Sequence, residues 1–141
     1  MSVNVLYRTS ARAVGGRDGE AGTLDGAFKV KLSTPKELHG DGGEGVNPEQ
    51  LFATGYAACF LGAMKAVSPA LGIKVPADAT VTSTVGIGPC SEGGFGLTIA
   101  LAVELPELDR DHATALVNKA HEVCPYSNAT RNNINVEITL G

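Results

Sequence analysis

The fold is decided by residues 47–72, NPEQLFATGYAACFLGAMKAVSPALG, which predict one long helix with a cysteine near its middle. Asn47 suits the N-cap, because its side-chain oxygen can accept a hydrogen bond from a free backbone N–H of the first turn. Pro48 then takes the first helical position, where a missing N–H does no harm. Gln50 stands three residues after the cap and completes the pattern of a capping box.

This helix is apolar or small on every face from Leu51 to Met64. A helix that is apolar all round is buried in protein or in lipid. Lys65 ends the apolar run after about 14 residues, whereas a membrane span needs ~20. We therefore expect burial in protein. One small domain can hardly surround so long a helix, so we also expect a second subunit to cover part of it.

The composition indicates one globular domain over residues 1–141, with 43% hydrophobic and 18% charged residues. The net charge is −4 and charges of both signs are mixed along the chain, which argues against nucleic acid as a partner. The first residues show no uninterrupted apolar stretch followed by a small-residue cleavage site. We expect a cytoplasmic protein with no membrane partner.

The remaining sequence predicts strands before and after the central helix and a second helix near the end. Strands are expected at residues 3–14, 23–32, 80–87, 97–105 and 134–140, the second of them divided at Asp25-Gly26. Asp109 caps the second helix, and Pro125 stops it. Ser68-Pro69 is a point where the central helix could kink or break. This order predicts an α+β fold with an antiparallel sheet that has one face on helices.

Three cysteines are present, Cys59, Cys90 and Cys124, and an odd number without an export signal fits a reducing compartment. Cys59 lies in the central helix. Cys124 ends the apolar stripe of the second helix, which is formed by Ala113, Leu116, Val117 and Ala120. Each cysteine could be a small core hydrophobe, the usual role of a buried cysteine, or the two could form a redox pair. The residues alone leave both interpretations open.

Four segments carry a resemblance to a known family. NPEQLFATGYAACF and VCPYSNATRNNINVEITL, with GGRDG upstream and GIGPCSEGGFGLTIALAVELP in the middle, resemble the organic hydroperoxide resistance (Ohr) branch of the Ohr/OsmC peroxidases over nearly the whole chain. The resemblance implies an α+β fold with antiparallel sheets around a long buried central helix, in an intertwined homodimer. It also implies a thiol-dependent peroxidase that reduces organic hydroperoxides. No bound cofactor is implied, and the expected reductant is a dihydrolipoyl dithiol on a lipoylated protein.

The same resemblance assigns roles to individual residues. Cys59 corresponds to the peroxidatic cysteine and Cys124 to the resolving cysteine. Arg17 of GGRDG and Glu49 of NPEQ correspond to the pair that activates the thiol. Cys90 departs from the family pattern, and we expect it to have no catalytic role.

Thiolate chemistry gives a physical reason for the arginine. A free cysteine with a pKa of ~8.5 is only about 3% ionised at pH 7, and the thiolate is the form that attacks a peroxide. Cys59 lies about three turns beyond the Asn47 cap, where the helix dipole no longer acts, so a nearby cation such as Arg17 is required. Glu49 would orient Arg17, yet it stands roughly 15 Å from Cys59 along the helix axis. We therefore hypothesise that Glu49 and Arg17 reach the Cys59 of the other subunit.

An apolar environment for Cys59 would favour alkyl or lipid hydroperoxides over hydrogen peroxide. Candidate walls of such a pocket are Phe52, Phe60, Leu61, Met64, Phe95 and Tyr126. Plain core packing is the favoured interpretation for the first five, whereas for Tyr126 packing and a place in the site are equally supported.

Three other functions are weighed against the peroxidase. A non-catalytic redox sensor or a hydrophobic-ligand binder on the same fold is one alternative. A metal site is disfavoured: His121 and Cys124 are spaced H-x-x-C, but His39 and His112 have no cysteine nearby, and no metal is predicted. A thioredoxin-like enzyme is disfavoured because the chain has no C-x-x-C.

Overall fold

Helix α1, Pro48–Leu71, is the longest element of the computed structural model, which describes residues 2–141. Its first turn forms the predicted capping box, because the Gln50 N–H donates to Asn47 Oδ1 at 2.8 Å and the Asn47 N–H donates to Gln50 Oε1 at 2.9 Å. The helix does not break at Pro69, which lies inside its last turn.

The chain divides into two compact units, one ending at Leu51 and the other running from Phe52 to Gly141. Helix α1 begins in the first unit and continues through the second. The sequence-based assignment of residues 1–141 to a single domain stays a prediction.

The first unit holds a small antiparallel sheet in the order β1-β2-β3, formed by Ala11–Val14, Glu20–Thr23 and Lys29–Lys31. The strand predicted for residues 3–14 forms only over its last four residues. Strand β1 pairs with β2, which itself spans four residues, so the sheet offers residues 3–10 no partner strand in the described chain. Their large apolar side chains are exposed, among them Leu6 and Tyr7.

The predicted division at Asp25-Gly26 is confirmed as the turn between β2 and β3. Asp25 Oδ1 accepts hydrogen bonds from Thr23 Oγ1 at 2.7 Å and from the Ala27 N–H at 2.9 Å. Gly26 follows with φ of 78°, a left-handed conformation that favours glycine. The turn is therefore fixed by the local sequence.

The second unit contains a three-stranded sheet in the order β4-β5-β6, formed by Thr80–Pro89, Phe95–Glu104 and Val136–Leu140. Strands β4 and β5 form the predicted antiparallel hairpin. Strand β6 runs parallel to β5, so the prediction of purely antiparallel pairing is wrong for this pair. Two helices separate β5 from β6 in the chain, and such a crossover can return the chain in the same direction.

Helix α2, Arg110–Val123, has the predicted cap and the predicted buried stripe. The Asp109 side chain accepts a hydrogen bond from the His112 N–H at 3.1 Å. Its buried residues are Ala113, Leu116, Val117 and Ala120. Pro125 ends α2 as expected, but it also opens a further short helix, α3 (Pro125–Thr130), which the sequence analysis does not predict. Cys124 is the residue between the two helices.

Helix α1 is buried along one side. Its buried residues are Tyr56, Phe60, Ala63, Met64 and Val67, which join the core of the second unit together with residues of β5 and α2. Small residues on another side, Thr54, Ala58 and Gly62, are exposed in the single chain. Burial on every face is therefore not achieved by one chain. The expected second subunit stays a prediction.

By length and apolar composition, α1 also meets the requirement for a membrane-spanning helix. Core helices of soluble proteins meet the same requirement, and the buried side of α1 belongs to a protein core. The criterion therefore gives no membrane assignment.

The core of the second unit can be tested at Leu116, whose side chain is fully buried. We expect Leu116→Ala to lower the free energy of unfolding by about 2–5 kcal/mol, because it removes apolar contacts and leaves a cavity. Val123→Ala shortens an exposed side chain on the same helix. It should change the free energy of unfolding by less than about 0.5 kcal/mol. Urea unfolding followed by circular dichroism measures both, and equal losses would contradict the described packing.

Candidate active site

The two cysteines singled out in the sequence lie side by side in the second unit. Cys124 Sγ is 3.6 Å from Cys59 Sγ, and both thiols are free. A disulfide has an S–S distance of about 2.05 Å, so the sulfurs need to approach by only about 1.5 Å to bond. The two thiols are therefore in direct contact.

Cys124 is held at a corner of the backbone. Its φ of −60° and ψ of 126° are extended, so the chain turns there between α2 and α3. Its N–H donates to the Ala120 carbonyl at 2.8 Å, and its own carbonyl accepts from the Asn128 N–H at 2.9 Å. Because the side chain is fully buried, the sulfur faces Cys59 and not solvent.

The surroundings of Cys59 within the chain disfavour its thiolate. Burial raises the pKa of the Cys59 thiol, and the neighbouring Cys124 thiol raises it further. A hydrogen bond from the Tyr126 backbone N–H lowers the pKa of Cys59 but does not outweigh burial. None of these influences, among the described residues, is a positive charge.

Tyr126 packs beside the turn of α1 that leads to Cys59. Its ring centroid is 6.0 Å from that of Phe52 and 5.7 Å from that of Tyr56. Gly55 leaves room for the ring, since a Cβ at this position would lie 3.0 Å from the Tyr126 hydroxyl oxygen. About 39% of Tyr126 is exposed, so its ring forms part of the surface next to the dithiol.

The other predicted pocket residues differ in their placement. Phe60 and Met64 are fully buried and belong to the core, because neither has surface open to a substrate. Phe52 and Leu61 are partly buried against the same core. Phe95 begins β5 and is 67% exposed. The structure thus places Phe52 and Tyr126 together and assigns Phe60 and Met64 to packing.

Arg17 and Glu49 form a bidentate ion pair in the first unit. Arg17 Nη2 donates to Glu49 Oε1 at 2.7 Å, and Nη1 donates to Oε2 at 2.9 Å. The Glu49 side chain is only 12% exposed. Hydrogen bonds from Arg17 hold the pKa of the Glu49 carboxyl below its usual range, and Glu49 raises the pKa of Arg17. This fork fixes the plane of the guanidinium.

The turn that carries Arg17 is shaped by glycine. Residues Gly16–Asp18 form a short 3-10 helix after Gly15, whose φ is 81°. A Cβ on Gly19 would lie 1.7 Å from the Val14 carbonyl oxygen, so only glycine fits there. Asp18 Oδ1 accepts hydrogen bonds from the backbone N–H and the hydroxyl of Thr34 at 3.2 and 2.7 Å. Arg17 is therefore presented from a fixed turn.

A hydrogen-bond network that the sequence analysis missed joins the three helices next to the two cysteines in the chain. The Tyr56 hydroxyl lies 2.8 Å from Ser127 Oγ, which in turn lies 2.8 Å from His121 Nδ1. Tyr56 and Ser127 are fully buried. The sequence contains one indication of this network. Tyr56, His121 and Ser127 each stand three positions from Cys59 or Cys124, a spacing that brings residues of a helix to the same side.

The metal alternative gains no support from the geometry. No group of three or more histidine, cysteine or acidic residues that could hold a metal ion occurs within residues 2–141. His121 directs Nδ1 to Ser127.

Cys90 is exposed in the turn between β4 and β5.

Comparison with known proteins identifies the family. The family model described as OsmC-like protein matches residues 40–139. An organic hydroperoxide resistance protein of Xanthomonas axonopodis pv. citri is 55% identical over 136 residues, which cover 96% of this chain and 95% of that protein. The chain belongs to the Ohr/OsmC family.

Solved structures of Ohr/OsmC proteins share the fold. An organic hydroperoxide resistance protein from Legionella pneumophila superposes with a TM-score of 0.91 at 46% identity, covering 98% of this chain and 99% of that chain. The protein OhrB of Bacillus subtilis gives a TM-score of 0.88 at 40% identity, with coverage of 97% and 100%. The predicted α+β fold of the Ohr/OsmC type is therefore confirmed.

The Arg17–Glu49 pair predicts a pH-dependent contribution to stability. Because the folded pKa of Glu49 is lowered, the contribution is present above the unfolded pKa and is lost as pH falls through the folded pKa. We expect Glu49→Gln to lower the free energy of unfolding by roughly 0.5–1 kcal/mol near pH 7 and to have little effect in strong acid.

The matched control is Glu20→Gln, which removes the exposed ion pair with Lys29, whose charged atoms lie 3.6 Å apart. It should change the free energy of unfolding less than Glu49→Gln does, both near pH 7 and in strong acid. Urea unfolding at the two pH values measures each difference. A Glu49→Gln effect that grows as pH falls would contradict the described ion pair.

Proposed function

We propose that this Ohr/OsmC protein is a peroxidase that reduces organic hydroperoxides to alcohols through Cys59 and thereby protects against organic peroxide stress. The observation that carries the proposal is the 3.6 Å separation between the sulfurs of Cys59 and Cys124. Relatives named for organic hydroperoxide resistance, at 55% identity over nearly the whole chain, support the substrate class.

The proposed cycle uses one peroxide and one dithiol. The Cys59 thiolate attacks the terminal oxygen of ROOH, the O–O bond breaks, and the alkoxide leaves as ROH after taking a proton. The Cys59 sulfenic acid then reacts with the Cys124 thiol, which forms the disulfide and releases water. A dithiol reduces this disulfide by two exchange steps and is itself oxidised to a disulfide, which restores both thiols.

Arg17 is proposed as the cation that ionises Cys59. Burial of Cys59 opposes ionisation, so a guanidinium beside the sulfur has to outweigh it. Glu49 occupies two of the five guanidinium N–H donors, which leaves others for the sulfur and the peroxide oxygens. Glu49 in this proposal sets the orientation of Arg17 and does not touch the substrate.

The partner subunit of a homodimer is proposed to supply Arg17 and Glu49 to each Cys59. Helix α1 is continuous from Pro48 to Leu71, so Glu49 and Cys59 of one chain stand about 15 Å apart along its axis. Thr54, Ala58 and Gly62 are small and exposed, so a second helix can approach α1 closely there. This supports a dimer.

A dihydrolipoyl group on a lipoylated protein is the proposed reductant, in the cytoplasm. Cys124 is fully buried whereas Cys59 is partly exposed, so an incoming thiolate reaches the sulfur of Cys59 first. A slender dithiol on a flexible arm suits this access better than a thiol fixed on the surface of a folded protein.

The cysteine cycle predicts distinct products for the two single variants. After one equivalent of cumene hydroperoxide, mass spectrometry should find a Cys59–Cys124 crosslink in the wild-type protein. Cys124→Ser should stop at oxidised Cys59, and Cys59→Ser should consume no peroxide, because it lacks the attacking thiolate.

Cys90→Ser is the matched control and should keep wild-type turnover with dihydrolipoamide. A non-catalytic sensor on the same fold would form the crosslink without sustained turnover. Sustained peroxide consumption by Cys59→Ser would sink the peroxidase proposal.

Mixed dimers test which subunit supplies Arg17. A dimer that joins a Cys59→Ser chain to an Arg17→Ala chain contains one intact Cys59 and one intact Arg17, on different chains. Supply across the subunits predicts about half of the wild-type activity, because one complete site remains. Supply within one chain predicts almost none, and that outcome in differentially tagged, purified mixed dimers would reject the arrangement.

A further inference from the structure

We propose that Tyr56, Ser127 and His121 form a positioning device that holds Cys124 beside Cys59 and so speeds formation of the disulfide. The inference rests on the proposed function, in which Cys59 becomes a sulfenic acid and Cys124 resolves it. It assigns these three residues no contact with substrate.

The three residues link the elements that carry the two cysteines. Tyr56 lies on α1 three positions before Cys59, and His121 lies on α2 three positions before Cys124. Ser127 lies on α3 three positions after Cys124 and contacts both of the others at 2.8 Å. The serine hydroxyl therefore joins all three helices at one point.

The hydrogen atoms can be placed consistently along this chain of groups. The Tyr56 hydroxyl donates to Ser127 Oγ, and the Ser127 hydroxyl donates to Nδ1 of a neutral His121. Burial and the positive charge of Arg131 both lower the pKa of His121, which favours the neutral ring. Each hydroxyl is then satisfied in a buried site, where an unpaired group is costly.

A second link crosses the same corner of the backbone. Arg131 Nη2 donates to the His121 carbonyl oxygen at 2.6 Å, which ties the end of α3 back to α2. The link spans the extended residue Cys124, which separates α2 from α3. With both links in place, the two sulfurs need to approach by about 1.5 Å to bond.

The rate of this closure matters because the sulfenic acid has a competing fate. A second hydroperoxide can oxidise it to sulfinic acid, with release of a second alcohol, and that product is not recovered by dithiols. The Cys124 thiol prevents this only if it reacts first. A device that keeps Cys124 in place therefore protects Cys59 from inactivation by its own substrate.

The test compares variants that break the network with one that removes a buried hydroxyl elsewhere. Ser127→Ala, Tyr56→Phe and His121→Leu each remove one member. Ser83→Ala is the control, because the buried Ser83 Oγ has no hydrogen-bond partner in the described chain. His121→Asn retains an acceptor near the position of Nδ1 and should preserve the network.

The measurements are the rate of disulfide formation in rapid-quench mass spectrometry and the fraction of Cys59 converted to sulfinic acid at excess hydroperoxide. Loss of one buried hydrogen bond predicts disulfide formation that is about five- to tenfold slower in the three network variants. Their sulfinic fraction should rise, whereas Ser83→Ala and His121→Asn should match the wild-type protein.

Two results would overturn the inference. One is a wild-type rate and sulfinic fraction in Tyr56→Phe, which is nearly isosteric and should fold. The other is an equal slowing in Ser83→Ala, which would indicate a general loss of packing. Failure of the wild-type protein to form the Cys59–Cys124 disulfide would instead refute the proposed function.

Discussion

Cys59 is partly buried, and this burial sets the chemical requirements of the whole site. A thiol in this environment has a raised pKa, and the one hydrogen bond that favours its thiolate, from the Tyr126 N–H, is not enough to reverse this. The Cys59 sulfur also lies 3.6 Å from the sulfur of Cys124. In the proposed cycle the two neighbouring thiols form the disulfide, and ionisation of Cys59 depends on a positive charge. The fork between Arg17 and Glu49 is a suitable source, because its guanidinium is held in a fixed plane.

The backbone corner at Cys124 connects local sequence to the proposed chemistry. Pro125 cannot continue α2, so the chain leaves the helix at Cys124 and starts α3 at once. This break directs the Cys124 side chain toward α1 and brings the Tyr126 N–H to Cys59. The hydroxyl of Ser127 then ties the new helix to its neighbours. One proline therefore accounts for the position of both the second thiol and the hydrogen-bond donor.

Local sequence signals predicted the elements well, and contacts between distant residues were predicted poorly. The cap at Asn47, the turn at Asp25 and the stripe on α2 depend on neighbours in the chain, so their residues are sufficient evidence. The parallel pairing of β6 depends on where distant segments meet, which periodicity does not report. The network around Ser127 was missed for the same reason, although its spacing from the cysteines is visible in the sequence. The roles of Cys59 and Cys124 came from family resemblance, not from pattern.

The proposed mechanism depends on one property: Cys59 is a thiolate at neutral pH because an arginine outweighs its burial. Its most direct test is the titration of Cys59 in the assembled protein with Cys90 and Cys124 replaced by serine, followed by thiolate absorbance or by the pH dependence of alkylation. We expect a pKa clearly below the ~8.5 of free cysteine, and a rise of at least about one unit in the same protein carrying Arg17→Ala. A pKa at or above that of free cysteine, or one that Arg17→Ala leaves unchanged, would contradict it.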